Sequence, residues 1–418
     1  MKYKFLILSL IFIISLLIVI NNSKKYEKGI DDKFKTSWWE VQSIDTVKYS
    51  RDVAREKLNE KEFDKVIDMQ VKLIAQTGAT HIAIGTPYDP EFIPFLRRWV
   101  SAARKNGLSV WFRGNLSGWE SWFGYNKISR SDHINNIHNF ILDNKDIFAD
   151  GDIFSSCPEC ENGGDGDPRI TKDVTGFRNF LVDEYNVSKK YFENIGKNVR
   201  SNYFSMNADV ARLVMDKETT KKLDGIVVID HYVSSPTKLA RDIKDIAQVS
   251  GGKVVLGEFG TPIPDINGKL TETEQSEWLN EALSQIAVLP ELVGVNYWTG
   301  YGGSTAIWND DLSAKSSVKV ITGYYKPDMI TGIIRDEIGL PVKNATVRVC
   351  TKSELTGRSG DYDLPNIRGL CSAEISAMGF DTQIIDISTR NQVDIVMVKS
   401  DKNLLFKVQV FIKSYFRN

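Results

Sequence analysis

An α/β chain built on a (β/α)8 barrel is what the sequence predicts, and three observations carry the prediction. Strand-like and helix-like segments alternate eight times between residues 30 and 323. That span of about 290 residues suits eight βα units. No strand leads into a glycine-rich phosphate loop, which the alternative, an open doubly wound sheet, would use to hold a nucleotide.

The expected strands are 34–38, 81–85, 109–113, 152–156, 201–206, 225–230, 253–258 and 293–298. Several are short apolar, β-branched runs, as in a strand covered on both faces. Between them Phe63, Val66, Ile67, Val71 and Ile74 share one helical face, and so do Phe92, Phe95, Leu96, Trp99 and Val100. Gly78 and Gly107 follow these helices and precede strands, as helix-ending glycines do. The barrel is assigned to residues 29–325.

Residues 1–28 are of different material. An apolar run over 5–20 is broken only by Ser9 and Ser15, with Lys2 and Lys4 before it and Lys24, Lys25 and Lys28 after it. Its length suits either a short transmembrane helix or a signal-peptide core. The flank Val19-Ile-Asn-Asn-Ser-Lys24 lacks a small-x-small cleavage pattern, so an uncleaved anchor is expected, with the rest of the chain outside the cytoplasm. Residues 326–400 change to short alternating segments separated by Asp, Gly and Asn turns, which predicts a small antiparallel β-sandwich. The tail, 401–418, is apolar with spaced Lys and Arg, and reads either as an interfacial basic helix or as a last strand or docked tail.

The formal net charge of −1 gives no pull toward nucleic acid. Cysteines stand at 157, 160, 350 and 371. Cys157-Pro-Glu-Cys160 has the spacing of a redox or zinc half-site, but no second pair at metal spacing accompanies it, so no zinc is expected. A bridge between Cys350 and Cys371 is left open, and no disulfide framework is expected in the barrel. The loop Gly163-Gly-Asp-Gly-Asp167 lacks the ligand spacing of an EF-hand, and no metal or cofactor is expected.

Active sites of parallel barrels lie where the strands end. Lys253-Val-Val-Leu-Gly-Glu-Phe-Gly260 brings Glu258 to such an end, and Asp152-Ile-Phe-Ser-Ser-Cys-Pro-Glu-Cys-Glu161 brings Glu159 and Glu161. Two carboxyl groups on two such ends are the minimum for cleaving a glycosidic bond. Trp38, Arg113, Asn115, His231, Tyr232, Tyr297 and Trp298 also fall at expected strand ends. Aromatic faces stack on sugar rings, and Arg, Asn and His donate to hydroxyls, so these seven are candidates for binding a carbohydrate substrate.

The strand-four and strand-seven glutamates, His231-Tyr232 and Asn296-Tyr-Trp298 together resemble clan A of the glycoside hydrolases, the retaining (β/α)8 enzymes that include endoglucanases and β-mannanases. The resemblance implies a double displacement on a β-linked poly- or oligosaccharide, with Glu258 as nucleophile and Glu159, or alternatively Glu161, as acid/base. Where the clan carries Asn-Glu on strand four, this chain has Pro158-Glu159-Cys160-Glu161. A barrel that binds carbohydrate at the cell surface without cutting it is the alternative. Thr331-Gly-Ile-Ile-Arg-Asp-Glu-Ile-Gly-Leu-Pro-Val342, Thr356-Gly-Arg-Ser-Gly-Asp-Tyr362 and Met378-Gly-Phe380 resemble the transthyretin-like sandwich of carboxypeptidase regulatory domains, which implies a non-catalytic module.

Overall fold

The computed structural model describes residues 36–400. The expected anchor at 1–28 lies outside the described residues, as does the tail at 401–418. Among the described residues no helix is long and apolar enough to cross a membrane. The chain divides into two units at Pro327/Asp328.

The first unit is a parallel eight-stranded barrel of β1 (Val41–Asp45), β2 (His81–Ile84), β3 (Ser109–Phe112), β4 (Ile153–Phe154), β5 (Ser205–Asn207), β6 (Ile226–Asp230), β7 (Lys253–Phe259) and β8 (Leu292–Tyr297). Each strand is followed by a helix: α1 (Asp64–Gln76), α2 (Ile93–Lys105), α3 (Arg130–Asp143), α4 (Val174–Asn194), α5 (Ala208–Val214), α6 (Pro236–Ser250), α7 (Glu272–Ala287) and α8 (Ser316–Tyr325), with shorter helical turns in the loops. The expected helical faces are buried: Phe63, Ile67, Val71 and Ile74 on one, Phe92, Phe95, Leu96 and Trp99 on the other. Inside the barrel, Val41, Ala83, Trp111, Ile153, Tyr203, Val228 and Val255 form a filled apolar floor.

The ladder runs β4-β3-β2-β1-β8-β7-β6-β5, so the cylinder has a seam between β4 and β5. The seam is closed by the Ile153–Arg200 bridge, in which Phe154 N–H donates to Arg200 O and Arg200 N–H to Asp152 O, by Gly151 N–H donating to Asn198 O, by the Ser155 hydroxyl donating to the Tyr203 carbonyl, by Glu159 N–H donating to Ser205 O at 2.7 Å, and by Asn207 N–H donating to Glu161 Oε1.

One strand is displaced from its expected position. β1 spans Val41–Asp45 rather than 34–38, because buried polar residues stand on both of its faces. Gln42 is fully buried, accepts from the Trp38 and Trp39 N–H groups and donates to the carbonyls of Gly78 and Tyr325. Gln42 and Ser43 interrupt the apolar pattern by which a covered strand is recognised.

The second unit holds seven strands: β9 (Asp328–Asp336), β10 (Thr346–Val349), β11 (Lys352–Leu355), β12 (Asp361–Asn366), β13 (Ala373–Ser376), β14 (Gln383–Ile385) and β15 (Ile395–Met397). They form a sheet ordered β11-β10-β13-β14 and a sheet ordered β12-β9-β15. Alternate residues such as Val347, Val349, Ile375, Ile395 and Met397 are buried, which is the period of a half-covered strand. The expectation of a purely antiparallel unit needs one correction: β15 pairs with β9 in parallel.

Candidate active site

Arg113, just past the end of β3, is the hub of the barrel mouth. One terminal nitrogen, Nη1, donates to Asp45 Oδ2 at 2.8 Å and to Glu258 Oε1 at 3.1 Å. The other, Nη2, donates to Ser205 Oγ at 2.9 Å and lies 3.3 Å from Asp230 Oδ2. Burial works against the guanidinium's charge, but Asp230, Glu258 and Asp45 outweigh it and hold Arg113 above its ordinary value. A planar five-donor fork suits this position, since it meets four strand ends at once.

Glu258 sits one residue before the end of β7, beside Asp230 across an irregular step in the β6–β7 register. The preceding Gly257 is required by space: a Cβ there would stand 2.5 Å from Asp230 Oδ1 and 2.9 Å from Ser205 Cβ. The second carboxylate oxygen of Glu258 accepts from the Tyr232 hydroxyl at 2.8 Å. Burial raises the Glu258 carboxyl to about 7, with Glu159 and Asp45 adding to the rise and with Arg113 and Tyr232 opposing it. Burial likewise raises Glu159, helped by Glu161 and opposed by Arg113.

One carboxylate oxygen from each of Glu159, Asp230 and Glu258 lies within 4.8 Å of the other two. Oxygen donors this close are also a geometry a divalent cation accepts, but the guanidinium already lies among these groups and neutralises part of their charge. A further carboxyl, Glu120, on the turn Ser117–Glu120 after β3, is raised to about 8 by burial and by Glu159.

Of the residues singled out in the sequence, Glu159, Glu258, Arg113 and Tyr232 come together here. Trp298 is half-buried beside them, edge-on to Tyr232 at 5.9 Å between ring centres, with Lys48 Nζ over its ring at 5.7 Å. Glu161 points elsewhere: it is buried, and its Oε1 accepts from Asn207 N–H at 2.7 Å and from Asn207 Nδ2 at 3.1 Å. His231 turns to α6, where its Nε2 meets Asp242 at 2.8 Å. It lines a cleft of about 430 Å3 that also includes Asn207, Arg212, Asp230, Tyr232 and Lys238. Burial lowers the His231 ring, against the pull of Asp242.

Three expected sugar contacts are corrected. Trp38 precedes β1, at the opposite end of the barrel from the carboxylates, and its indole N–H donates to Ala287 O at 3.0 Å. Asn115 is fully buried, with its Oδ1 against His133 Nε2 at 2.9 Å, and His133 is held in turn by Glu184 at 2.7 Å. Tyr297 is fully buried and donates to Thr305 O at 2.7 Å, because side chains alternate along a strand and its neighbour Asn296 takes the inward position. Asn296 Nδ2 donates to Gly257 O at 2.7 Å and to Asp45 Oδ2 at 3.2 Å.

Asp45, Asp230, Ser205 and Asn296 are thus site residues that the sequence reading missed. Asp230 ends an expected strand and was open to the same strand-end reasoning as Glu258. Asp45 was hidden by the misplaced first strand. Cys157 and Cys160 form a disulfide, and Cys350 and Cys371, where a bridge was left open, are in disulfide form.

The comparisons with known proteins bear on the fold. No family model matches the chain, and no curated protein matches it. Among solved structures, an alanine variant of GH5_18 from Streptomyces cattleya in complex with Manb1-4GlcNAc has a TM-score of 0.52 and 12% identity, covering 71% of this chain and 85% of that one. An alanine variant of GH5_18 from Bifidobacterium longum subsp. longum, in complex with the same disaccharide, has a TM-score of 0.51 and 12% identity, covering 72% and 84%. Both neighbours are glycoside hydrolases, and at this identity the likeness establishes the barrel fold.

Proposed function

We propose that the protein is a retaining glycoside hydrolase that cleaves a β-linked poly- or oligosaccharide by double displacement. The observation that carries the reading is the approach of Glu159 to Glu258, with carboxylate oxygens within 4.8 Å of each other. Retaining enzymes hold their two carboxyl groups about 5–5.5 Å apart, and inverting ones leave room for a water between them. The two groups are unequally supplied with donors. Glu258 accepts from both Arg113 and Tyr232, which favours its anion and suits a nucleophile. Glu159 is half-buried beside Glu161; desolvation and that neighbour raise its carboxyl against Arg113, Arg51 and Asn162, and the net rise favours its acid form.

In the first step Glu258 attacks the anomeric carbon while Glu159 gives its proton to the departing oxygen. In the second, Glu159 takes a proton from water, which displaces the sugar from Glu258. Trp298 stacks on the sugar under attack, and Asn296 and Arg113 keep Asp45 and Glu258 in place. Excluding water from the ionised Glu258 carboxylate strengthens each of these interactions.

The neighbours' bound Manb1-4GlcNAc makes β-mannosides the first substrates to try. Proton NMR of the first product formed would give the β anomer for retention, and an α product first would refute the mechanism. With dinitrophenyl β-mannoside, azide should rescue Glu159→Ala but not Glu161→Ala. Binding without turnover by the wild type would place the barrel among carbohydrate-binding proteins instead. The proposal extends to the flanking segments: residues 1–28 anchor the protein in a membrane with the barrel outside the cytoplasm, and 328–400 is a non-catalytic transthyretin-like module. A soluble mature protein lacking Met1–Ile20 would refute the anchor.

A further inference from the structure

Glu159 lies inside the smallest closed ring in the barrel unit. Cys157 and Cys160 are joined by a disulfide with Cα atoms 5.2 Å apart, and only Pro158 and Glu159 stand between them. Glu159 has φ 48° and ψ 47°, the left-handed region that a residue with a Cβ disfavours. Such a conformation persists only where its surroundings over-determine it, and it then serves to fix a side chain's direction.

The surroundings are on both sides of the ring. Glu159 N–H donates to Ser205 O at 2.7 Å, and Glu159 O accepts from Asn162 N–H at 2.9 Å. The Cys160 carbonyl accepts from the indole N–H of Trp119 at 3.0 Å, and the Trp119 carbonyl accepts from Gly164 N–H at 2.9 Å. Asn115 Nδ2 stands 3.9 Å from Cys157 Sγ, at the end of the buried chain through His133 to Glu184. Both cysteines are buried, so the crosslink packs against the barrel rather than lying on its surface.

We infer that the Cys157–Cys160 disulfide is a positioning device for Glu159: it holds the residue in its left-handed conformation and so keeps its carboxyl group facing Glu258. The inference rests on the reading of Glu159 as the acid/base. Opening the ring returns the Pro158-Glu159 pair to the ordinary freedom of a loop, and Glu159 relaxes toward right-handed backbone, carrying its carboxyl away from the departing oxygen. Glu258, held independently by Arg113 and Tyr232, stays in place. The loss therefore falls on proton donation and leaves nucleophilic attack.

The test compares kcat/KM on phenyl β-mannoside, whose leaving group needs a proton, with kcat/KM on dinitrophenyl β-mannoside, whose leaving group does not. The ratio of the two is independent of how much of a preparation is folded. In Cys157→Ala/Cys160→Ala the dinitrophenyl-to-phenyl ratio should rise at least about tenfold over wild type, in the same direction as in Glu159→Ala, with the alkaline limb of the phenyl pH profile displaced. A ratio equal to that of wild type, whatever the total activity, would overturn the inference and leave the disulfide a merely structural crosslink.

Wild type treated with a water-soluble phosphine gives the same readout without substitution. For each disulfide reduced, one phosphine and one water become phosphine oxide while the disulfide becomes two thiols, and alkylation followed by peptide mapping separates Cys157 and Cys160 from Cys350 and Cys371. If Glu159→Ala itself leaves the ratio unchanged, the acid/base assignment fails, and the outcome is distinct from failure of the disulfide inference.

Discussion

The phenol of Tyr232, two residues past the end of β6, donates to Glu258 on β7 at 2.8 Å. This bond and the one from Arg113 occupy the two oxygens of the same carboxylate, so the group is aimed as well as charged.

Tyr232→Phe should lower kcat/KM by roughly ten- to hundredfold, the equivalent of a hydrogen bond to a charged group. The hydroxyl favours the Glu258 anion and opposes the burial that raises this carboxyl to about 7. Its removal raises the carboxyl further, so the acid limb of the pH profile should move to higher pH. A limb that stays in place would mean that Glu258 does not set it.

Glu258→Gln should remove turnover by several orders of magnitude, since amide nitrogen and oxygen cannot form the glycosyl ester. The same change should stabilise the fold in alkaline solution. Folding raises this carboxyl from 4.5 to about 7, so ionisation is penalised in the folded state. The penalty is absent below the unfolded value, grows as pH rises between the two values, and reaches about 3 kcal/mol above them. Thermal melts at about pH 8 should favour the variant, and melts at about pH 4 should coincide with wild type. A variant less stable than wild type at both would contradict the buried-charge argument.

Arg113→Met leaves Asp45, Asp230 and Glu258 without their shared cation. Breaking a buried ion pair from one side costs about 3–5 kcal/mol, so denaturant unfolding at neutral pH should show a loss of that order. Arg113→Lys should recover only part of it, because a single ammonium cannot span Asp45 and Ser205 together. Equal stability of wild type and both variants would show that the carboxyl groups relax without a counter-charge.

Trp298→Ala should lower kcat/KM by about tenfold, which corresponds to about 1.4 kcal/mol of lost stacking, with little change in melting temperature. The ring is half-buried and touches Tyr232 edge-on rather than filling the core. Unfolding at ordinary temperature with unchanged activity per folded molecule would make Trp298 a packing residue instead.

Most of the barrel was legible because a strand covered on both faces leaves an unbroken apolar run, as in Val254-Val-Leu256 and Val227-Val-Ile229. The strands that were misjudged carry buried polar residues. Gln42 and Ser43 hide β1, and Ser205 and Asn207 mark a β5 later than the apolar run suggests. Parity was the second source of error: Asn296 and Tyr297 exchange inside and outside according to the strand's exact phase, which the apolar pattern of β8 does not fix. Arg113 was found, but its dependence on four other strand ends is a property of closure. No local spacing encodes it.

The seam between β4 and β5 is joined by irregularly spaced bonds rather than by a regular ladder. Bonds carried by a loop are among those that local opening breaks at low cost. Residues 155–163 cross this seam and carry both Glu159 and Glu161, whose bonds to Ser205 and Asn207 are among those that close it. On the reading of Glu159 as the acid/base, an excursion that breaks these loop bonds would take the acid side of the site apart while the rest of the barrel remains intact.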